Sequence, residues 1–157
     1  MKPAWLDWPE SAELCETWKA QGHKVVFTNG CFDLLHPGHI QYLSDAKALG
    51  DKLIVGLNTD DSISRLKGSS RPINPLGDRA FMLMGLKAVD AVVAFAEDTP
   101  RQLIALLLPD VLVKGGDYKP DDIVGASEVR EHGGEVVVVP FLEGYSSSRL
   151  IERIKAS

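Results

Sequence analysis

Apolar and polar positions along this chain fall into two alternating kinds of segment. Five short runs are almost continuously apolar: Lys24–Thr28, Lys52–Asn58, Ala91–Phe95, Asp110–Lys114 and Glu135–Val139. Runs of this length, rich in Val, Ile and Leu, predict strands covered on both faces. Between them lie segments with helical spacing: Pro37–Leu49, Leu76–Lys87, Thr99–Leu107, Ser127–Glu131 and Ser147–Lys155. Ile40, Leu43 and Ala46 mark the face of the first that packs on the sheet. Gly50 reads as the stop of that helix, and Asp98-Thr99-Pro100 as the start of the third. The alternation predicts an α/β fold, a doubly wound parallel sheet with right-handed crossovers. The pattern holds no internal repeat and no low-complexity tract. Residues 1–157 are read as one domain, with 1–22 an N-terminal helical extension. Its Trp5, Trp8 and Trp18 either dock that extension on the core or line an intersubunit contact or a ligand pocket.

Composition narrows the class. A chain of 157 residues, 45% hydrophobic and 25% charged, suits one small globular enzyme with a proper core. A net charge of −5 argues against a general binder of nucleic acid or membrane surfaces. Two cysteines, Cys15 and Cys31, are too few for a disulfide framework or a zinc knuckle. A Cys31–His36–His39 zinc site lacks a fourth ligand. Neither a signal segment nor an apolar run near the ~20 residues of a bilayer span is present. The expected location is cytoplasmic.

The chemistry concentrates in Thr28-Asn29-Gly30-Cys31-Phe32-Asp33-Leu34-Leu35-His36-Pro37-Gly38-His39. It joins the first strand to the first helix. Pro37 suits a first helical position, so His36 and His39 share one face at a helix N-terminus. Free N–H groups and the positive end of the helix dipole make that place attractive to phosphate. Gly38 leaves room for a close approach. In a doubly wound sheet, ligands bind beyond the carboxyl ends of the strands, at the switch in strand order. Lys114–Tyr118, after the fourth strand, and Glu143–Arg149, after the fifth, also fall there. Ser146, Ser147 and Ser148 open the last helix as a second anion site or as an N-cap. Basic residues Arg65, Lys67 and Arg71 follow the second strand, and Arg79 lies on the next helix. Lys67, Arg71 and Arg79 are candidates to clamp a triphosphate, whereas Arg65 reads as surface. Asp33 either contacts substrate or the metal shell, or caps its own turn. Asp33, Asp117 and Tyr118 are candidates for sugar-hydroxyl contacts.

The segments Gly30-Cys31-Phe32-Asp33, His36-Pro37-Gly38-His39 and Tyr145-Ser146-Ser147-Ser148-Arg149 together resemble the signature of the nucleotidyltransferase superfamily. That resemblance implies strand order 3-2-1-4-5 and transfer of a nucleoside monophosphate from ATP or CTP, with release of pyrophosphate. It implies catalytic roles for His36, His39 and Lys67, with Lys67 on a flexible loop over the site. It also implies a phosphate contact from Arg79. Nucleotide contacts are expected at Thr28, Asn29, Gly30, Cys31, Phe32, Gly38, Lys114, Gly116, Asp117 and Ser146–Ser148. Acceptor contacts are expected at Asp33, Lys67, Arg71 and Tyr118. Mg²⁺ would be bound mainly through the ATP phosphates, with no dedicated protein site.

Arg71-Pro72-Ile73-Asn74-Pro75-Leu76, Val113-Lys114-Gly115-Gly116-Asp117-Tyr118 and Glu143-Gly144-Tyr145-Ser146 look like the adenylyltransferase family of bacterial ADP-heptose synthesis. This resemblance covers residues 24–155. Departures are Gly77, where an acidic residue is frequent, and three serines where Ser-Thr-Thr is common. It implies ATP and a heptose 1-phosphate as substrates, and ADP-heptose for the lipopolysaccharide inner core as product. It further implies a form without a fused kinase, served by a separate heptose kinase and phosphatase, and a homodimer. Two other readings stay open: a cytidylyltransferase acting on a polyol phosphate such as glycerol 3-phosphate, and a non-catalytic nucleotide-binding regulator. No G-x-G-x-x-G follows the first strand and no G-x-x-x-x-G-K-[ST] occurs, which disfavours a dinucleotide oxidoreductase and a P-loop kinase.

Overall fold

A computed structural model describes residues 2–157. Strands β1 (Val25–Gly30), β2 (Lys52–Asn58), β3 (Ala91–Phe95), β4 (Val111–Gly115) and β5 (Glu135–Val139) form one sheet. All pairs are parallel, in the order β3-β2-β1-β4-β5. The expected strand order 3-2-1-4-5 and α/β class are therefore correct. The helices are α1 (Trp8–Ala20), α2 (Pro37–Lys47), α3 (Asp60–Lys67), α4 (Leu76–Met84), α5 (Arg101–Leu107), α6 (Ala126–Glu131) and α7 (Ser147–Ala156).

Successive strand residues feed opposite faces of the sheet, as the two-residue repeat of a strand requires. Val26 joins α2 and α4 through Leu43, Ala46, Ala80 and Leu83. Val25 and Phe27 join α1, α5 and α6 through Cys15, Leu103, Ile104 and Val129. Both faces are covered, which is why the strands read as unbroken apolar runs. Ile40, expected on the buried face of α2, is 41% exposed, and Tyr42 takes its place in the core.

The N-terminal extension docks on the sheet. Asp7 caps α1 by accepting from the Glu10 N–H, and the Trp8 indole N–H donates to the Ala94 carbonyl. Leu6 bridges to Val93 of the edge strand β3, covering part of an edge that would otherwise be open to pairing. Trp18 lies against the same core, with Lys52 Nζ 5.6 Å from its ring centroid.

Four helices differ from expectation by two residues or more, each for a local reason. Where the resemblance implies a flexible loop carrying Lys67, the chain forms α3, a helix of only eight residues. It is held by Thr59, which accepts from the Ser62 N–H, with Asp60 and Asp61 in the first turn and Arg65 and Lys67 in the last. That arrangement matches the helix dipole at both ends. α5 begins at Arg101 rather than Thr99, because Asp98 pairs with Arg65 instead of capping. α4 stops at Met84, where Gly85 caps it, short of Lys87. α2 ends at Lys47, so Gly50 does not terminate it directly.

Gly50 has a different reason to be glycine. A Cβ there would lie 2.6 Å from Val26 Cγ2 and 2.8 Å from the Lys24 carbonyl oxygen. The chain crosses β1 too closely for any side chain. Gly50→Ala should therefore destabilise the protein by about 1–3 kcal/mol, the usual cost of overpacking a core, measured by urea unfolding. A midpoint equal to wild type would show that the crossing can relax.

Candidate active site

The loop after β1 enters α2 through a cap made by one of the motif histidines. His36 is the N-cap of α2, and its Nδ1 accepts from the His39 N–H at 3.3 Å. With Nδ1 accepting, the ring proton of neutral His36 sits on Nε2. The two imidazoles stack, centroids 3.8 Å apart and planes 20° from parallel. Gly38 permits this: a Cβ there would lie 2.9 Å from the His36 ring and 3.2 Å from Tyr145 Cβ. Phe32, at φ +47°, places its ring 5.2 Å from that of His39. His39 Nδ1 is buried without a partner.

Burial pushes the His39 pKa down to about 4, helped by the neighbouring His36 and Lys67. Burial lowers that of His36 too. Both rings are thus neutral hydrogen-bonding groups at neutral pH.

Asp33 organises the other wall. Its carboxylate, 1% exposed, accepts from Arg71 Nε at 2.8 Å and from the N–H groups of Ile73 and Asn74. The Asn74 side chain donates to the Asp33 carbonyl. Burial alone would raise the Asp33 pKa, but the Asn74 and Ile73 bonds and Arg71 outweigh it and hold the carboxyl below its usual range. All of its strong acceptor directions are committed. The expected contact to sugar or metal is therefore corrected: Asp33 latches the 71–74 loop to the motif. The latch leaves Arg71 Nη2 buried with no partner.

Arg79 requires a larger correction. It is fully buried, donating to the carbonyls of Asn74, Cys31 and Asn58 and to the Asp60 carboxylate at 2.7 Å. No part of the guanidinium faces solvent, so it is a structural cross-link and not a phosphate clamp. Thr28 is likewise internal, its hydroxyl bonded to that of Tyr42.

The remaining candidates divide among neighbouring spaces. A cavity of about 260 Å³ is lined by Asn29, Gly30, Cys31, Phe32, His39, Lys67, Arg71, Lys114, Tyr118 and Ser147, among others. Lys67 reaches it from the last turn of α3, not from a loop. Ser147 opens α7 and donates to the Leu34 carbonyl, tying that helix to the motif loop. Ser146 caps α7 by accepting from the Arg149 N–H, the bland alternative for that turn. Gly116, Asp117 and Ser146 border a separate open groove beside Phe141–Tyr145. Ser148 is exposed and lines none of these spaces. Burial raises the Cys31 thiol pKa despite Lys67, Arg79 and Arg71 nearby, so Cys31 is an unreactive lining group.

A second cavity, of about 400 Å³, shares Asn29, Gly30, Cys31, Lys114 and Tyr118 with the first. These shared residues sit at the carboxyl ends of β1 and β4, where strand order switches. Asn58, Leu66, Asp98, Thr99, Asp122 and Val124 also line it, and sequence reasoning assigned none of them. Only Asn58 carried a usable signal, as the last residue of β2 beside the switch.

Three basic side chains, Lys67, Arg71 and Lys114, surround the smaller cavity against one carboxylate that is already engaged. With neutral His39 beside a helix N-terminus, this lining has the chemistry that suits a polyanion. Among the described residues no cluster of three or more His, Cys, Asp or Glu side chains is placed to hold a metal ion, and Asp33 has no free lone pair directed at one. The donor set does not build a protein cage for Mg²⁺. Nor, among those residues, is any helix long and apolar enough to cross a membrane.

An open parallel sheet with basic side chains and His39 gathered at its switch point has the architecture of a nucleotide-handling α/β protein. Residues 27–153 match the model of the cytidylyltransferase-like family, and the chain belongs to that family of nucleotidyltransferases. The bifunctional protein HldE of Gluconacetobacter diazotrophicus is 56% identical over 155 residues, 99% of this chain and 32% of that protein. HldE of Histophilus somni is 59% identical over 140 residues, covering 89% of this chain and 30% of that one. The chain thus spans under a third of the length of these relatives. A solved lipopolysaccharide core biosynthesis protein from Thermoplasma volcanium superposes with a TM-score of 0.63 at 33% identity, covering 80% of this chain and all of the other. Pantoate-beta-alanine ligase from Francisella tularensis, 15% identical with a TM-score of 0.58, shares the fold.

Two outcomes test this geometry. Arg79→Lys should cost about 3 kcal/mol or more of folding stability, because it strands buried carbonyls and a buried charge loses its partners. Denaturant unfolding measures this, and a stable variant with altered nucleotide affinity alone would restore the phosphate role. The second outcome is a titration. His39 protonates in the folded state only near pH 4, whereas an unfolded histidine does so near pH 6.5. Stability tied to neutral His39 is present above about pH 6.5 and is lost as pH falls toward 4. NMR of the imidazole should give an apparent pKa near 4, rising when inorganic triphosphate binds, since an anion favours the charged ring.

Proposed function

We propose that this chain is an adenylyltransferase that moves AMP from ATP to a heptose 1-phosphate, giving ADP-heptose and pyrophosphate for lipopolysaccharide inner-core synthesis. The observation that carries the transfer is His39 at the start of α2, stacked on His36 and lining the cavity that Lys67 and Arg71 also line. The choice of heptose rests on the resemblance of the Arg71–Leu76 and Lys114–Tyr118 segments. Likeness to the lipopolysaccharide core biosynthesis protein adds support. A heptose kinase and a phosphatase supply the acceptor in this reading. The working unit is a cytoplasmic homodimer.

A phosphate oxygen of the acceptor attacks the α-phosphorus, and the bond from that phosphorus to the α,β-bridging oxygen breaks. Pyrophosphate leaves with the electron pair. The acceptor is already an anion near neutral pH, so no strong base is required. The barrier lies in bringing anions together and in stabilising charge on the α-phosphoryl group and the leaving group. His36 donates through Nε2–H, and neutral His39 donates its ring proton to phosphate oxygens. Lys67 and the unpartnered Nη2 of Arg71 hold the β- and γ-phosphates. Mg²⁺ carried by the nucleotide would supply further neutralisation of phosphate charge, with none of the described residues dedicated to holding it.

Pyrophosphate release, measured with ATP or CTP against sugar and polyol phosphates, tests the reading. ATP with a heptose 1-phosphate should be the best pair. His39→Ala should lower kcat by about 10²–10³-fold, the range for losing one such donor, with unchanged thermal stability. Preference for CTP with glycerol 3-phosphate would move the assignment to a polyol-phosphate cytidylyltransferase. Nucleotide binding without turnover on any acceptor would make the chain a regulator.

A further inference from the structure

The two adjoining cavities differ in chemistry. The smaller one gathers Lys67, Arg71, Lys114 and His39. The larger is lined by Asn58, Asp98, Thr99 and Asp122 among polar groups, and Lys114 is its sole basic residue among the described ones. Asp98 is held from outside by Arg65. Carboxylates repel a polyphosphate, but together with an amide and a hydroxyl they are the usual partners of sugar hydroxyls. A cavity of about 400 Å³ lies within the size range of small-ligand sites.

Lys114 stands on the wall between the two spaces. It is the penultimate residue of β4, lines both cavities, and forms none of the ion pairs found among the described residues. Its Nζ lies 5.4 Å from the centroid of the Tyr118 ring, a cation–π contact that steadies the ammonium without neutralising it. Burial pushes its pKa down, so an incoming anion would find a poorly solvated cation.

We propose that the larger cavity receives the sugar of the acceptor, and that Lys114 grips the acceptor's phosphate, not the nucleotide. This rests on the transfer reading above and assigns its second substrate a place. A sugar monophosphate has one anionic end and a polyhydroxyl body, which matches one lysine beside Asp98, Thr99 and Asp122. Bound so, its phosphate lies at the shared wall by Gly30 and Lys114, next to the cavity where the α-phosphate meets His39. Attack from that side leaves the pyrophosphate among Lys67 and Arg71. Lys114 therefore moves from the nucleotide-binding set, where sequence reasoning put it, to the acceptor.

Lys114→Met removes the charge and keeps most of the side chain. Calorimetry on wild type and variant measures two ligands without turnover: heptose 1-phosphate, and α,β-methylene-ATP with Mg²⁺. The variant should bind the sugar phosphate at least about tenfold more weakly, a loss of about 1.4 kcal/mol, with the analogue's Kd within about twofold. The acceptor KM should rise in parallel. Weakened analogue binding with sugar-phosphate binding intact, or an equal loss of both, would overturn the proposal. Asp122→Asn is a second probe. It should weaken heptose 1-phosphate binding while leaving that of glycerol 3-phosphate unchanged, and a uniform effect on both would remove the sugar from this cavity. Because binding is read directly, an enzyme that transfers no adenylyl group still tests the placement. Absence of turnover on every acceptor would instead sink the transfer reading.

Discussion

A guanidinium with no access to water joins the parts of this protein that must stay in register. Arg79, on α4, donates to the Cys31 carbonyl just past β1, to the Asn58 carbonyl at the end of β2, and to Asp60 at the start of α3. Its Nε closes the same circuit onto Asn74. Burying an arginine is costly unless every donor is used, and here the four partners come from three separate chain segments. The cost becomes specificity: only one mutual arrangement of these segments satisfies the charge.

The Asp33 latch acts on the layer above. Arg79 fixes where the 74 region lies, and Asp33 then receives Ile73, Asn74 and Arg71 from it. Arg71 is therefore presented to the smaller cavity with one nitrogen unpartnered. The motif loop does two jobs with adjacent residues. Asp33 faces inward to hold a neighbouring loop, His36 caps the start of α2, and His39 lines the smaller cavity. Pre-positioned donors of this kind need no reorganisation when charge develops on a phosphoryl group. One short motif thus carries both structural and cavity-facing groups.

Charge is also partitioned across the switch point. Cations lie toward α2 and α3, while carboxylate, amide and hydroxyl groups lie toward α5 and the 120s turn, with Lys114 between them. Two substrates of unlike chemistry can then meet at one wall without exchanging places. Lys67 and Lys114, which form none of the ion pairs found among the described residues, both line the smaller cavity.

The layered α/β fold was legible from the sequence because continuous apolar runs and helix-period segments are local signals. The strands were located within about two residues, and the histidine pair was placed on one helical face by spacing alone. The strand order came from family resemblance, since any order buries the same residues. Eight-residue α3 escaped because a short helix leaves little periodicity, although Thr59 and its flanking charges marked both ends. What the sequence could not decide was the direction in which polar side chains face. Arg79 and Lys67 read alike as basic residues near phosphate, yet one is fully buried among carbonyls and the other lines the cavity. Asp33 read equally as ligand or cap. Those choices depend on which distant carbonyls and N–H groups arrive beside each side chain. Only the packed sheet brings Cys31, Asn58 and Asn74 together around one guanidinium.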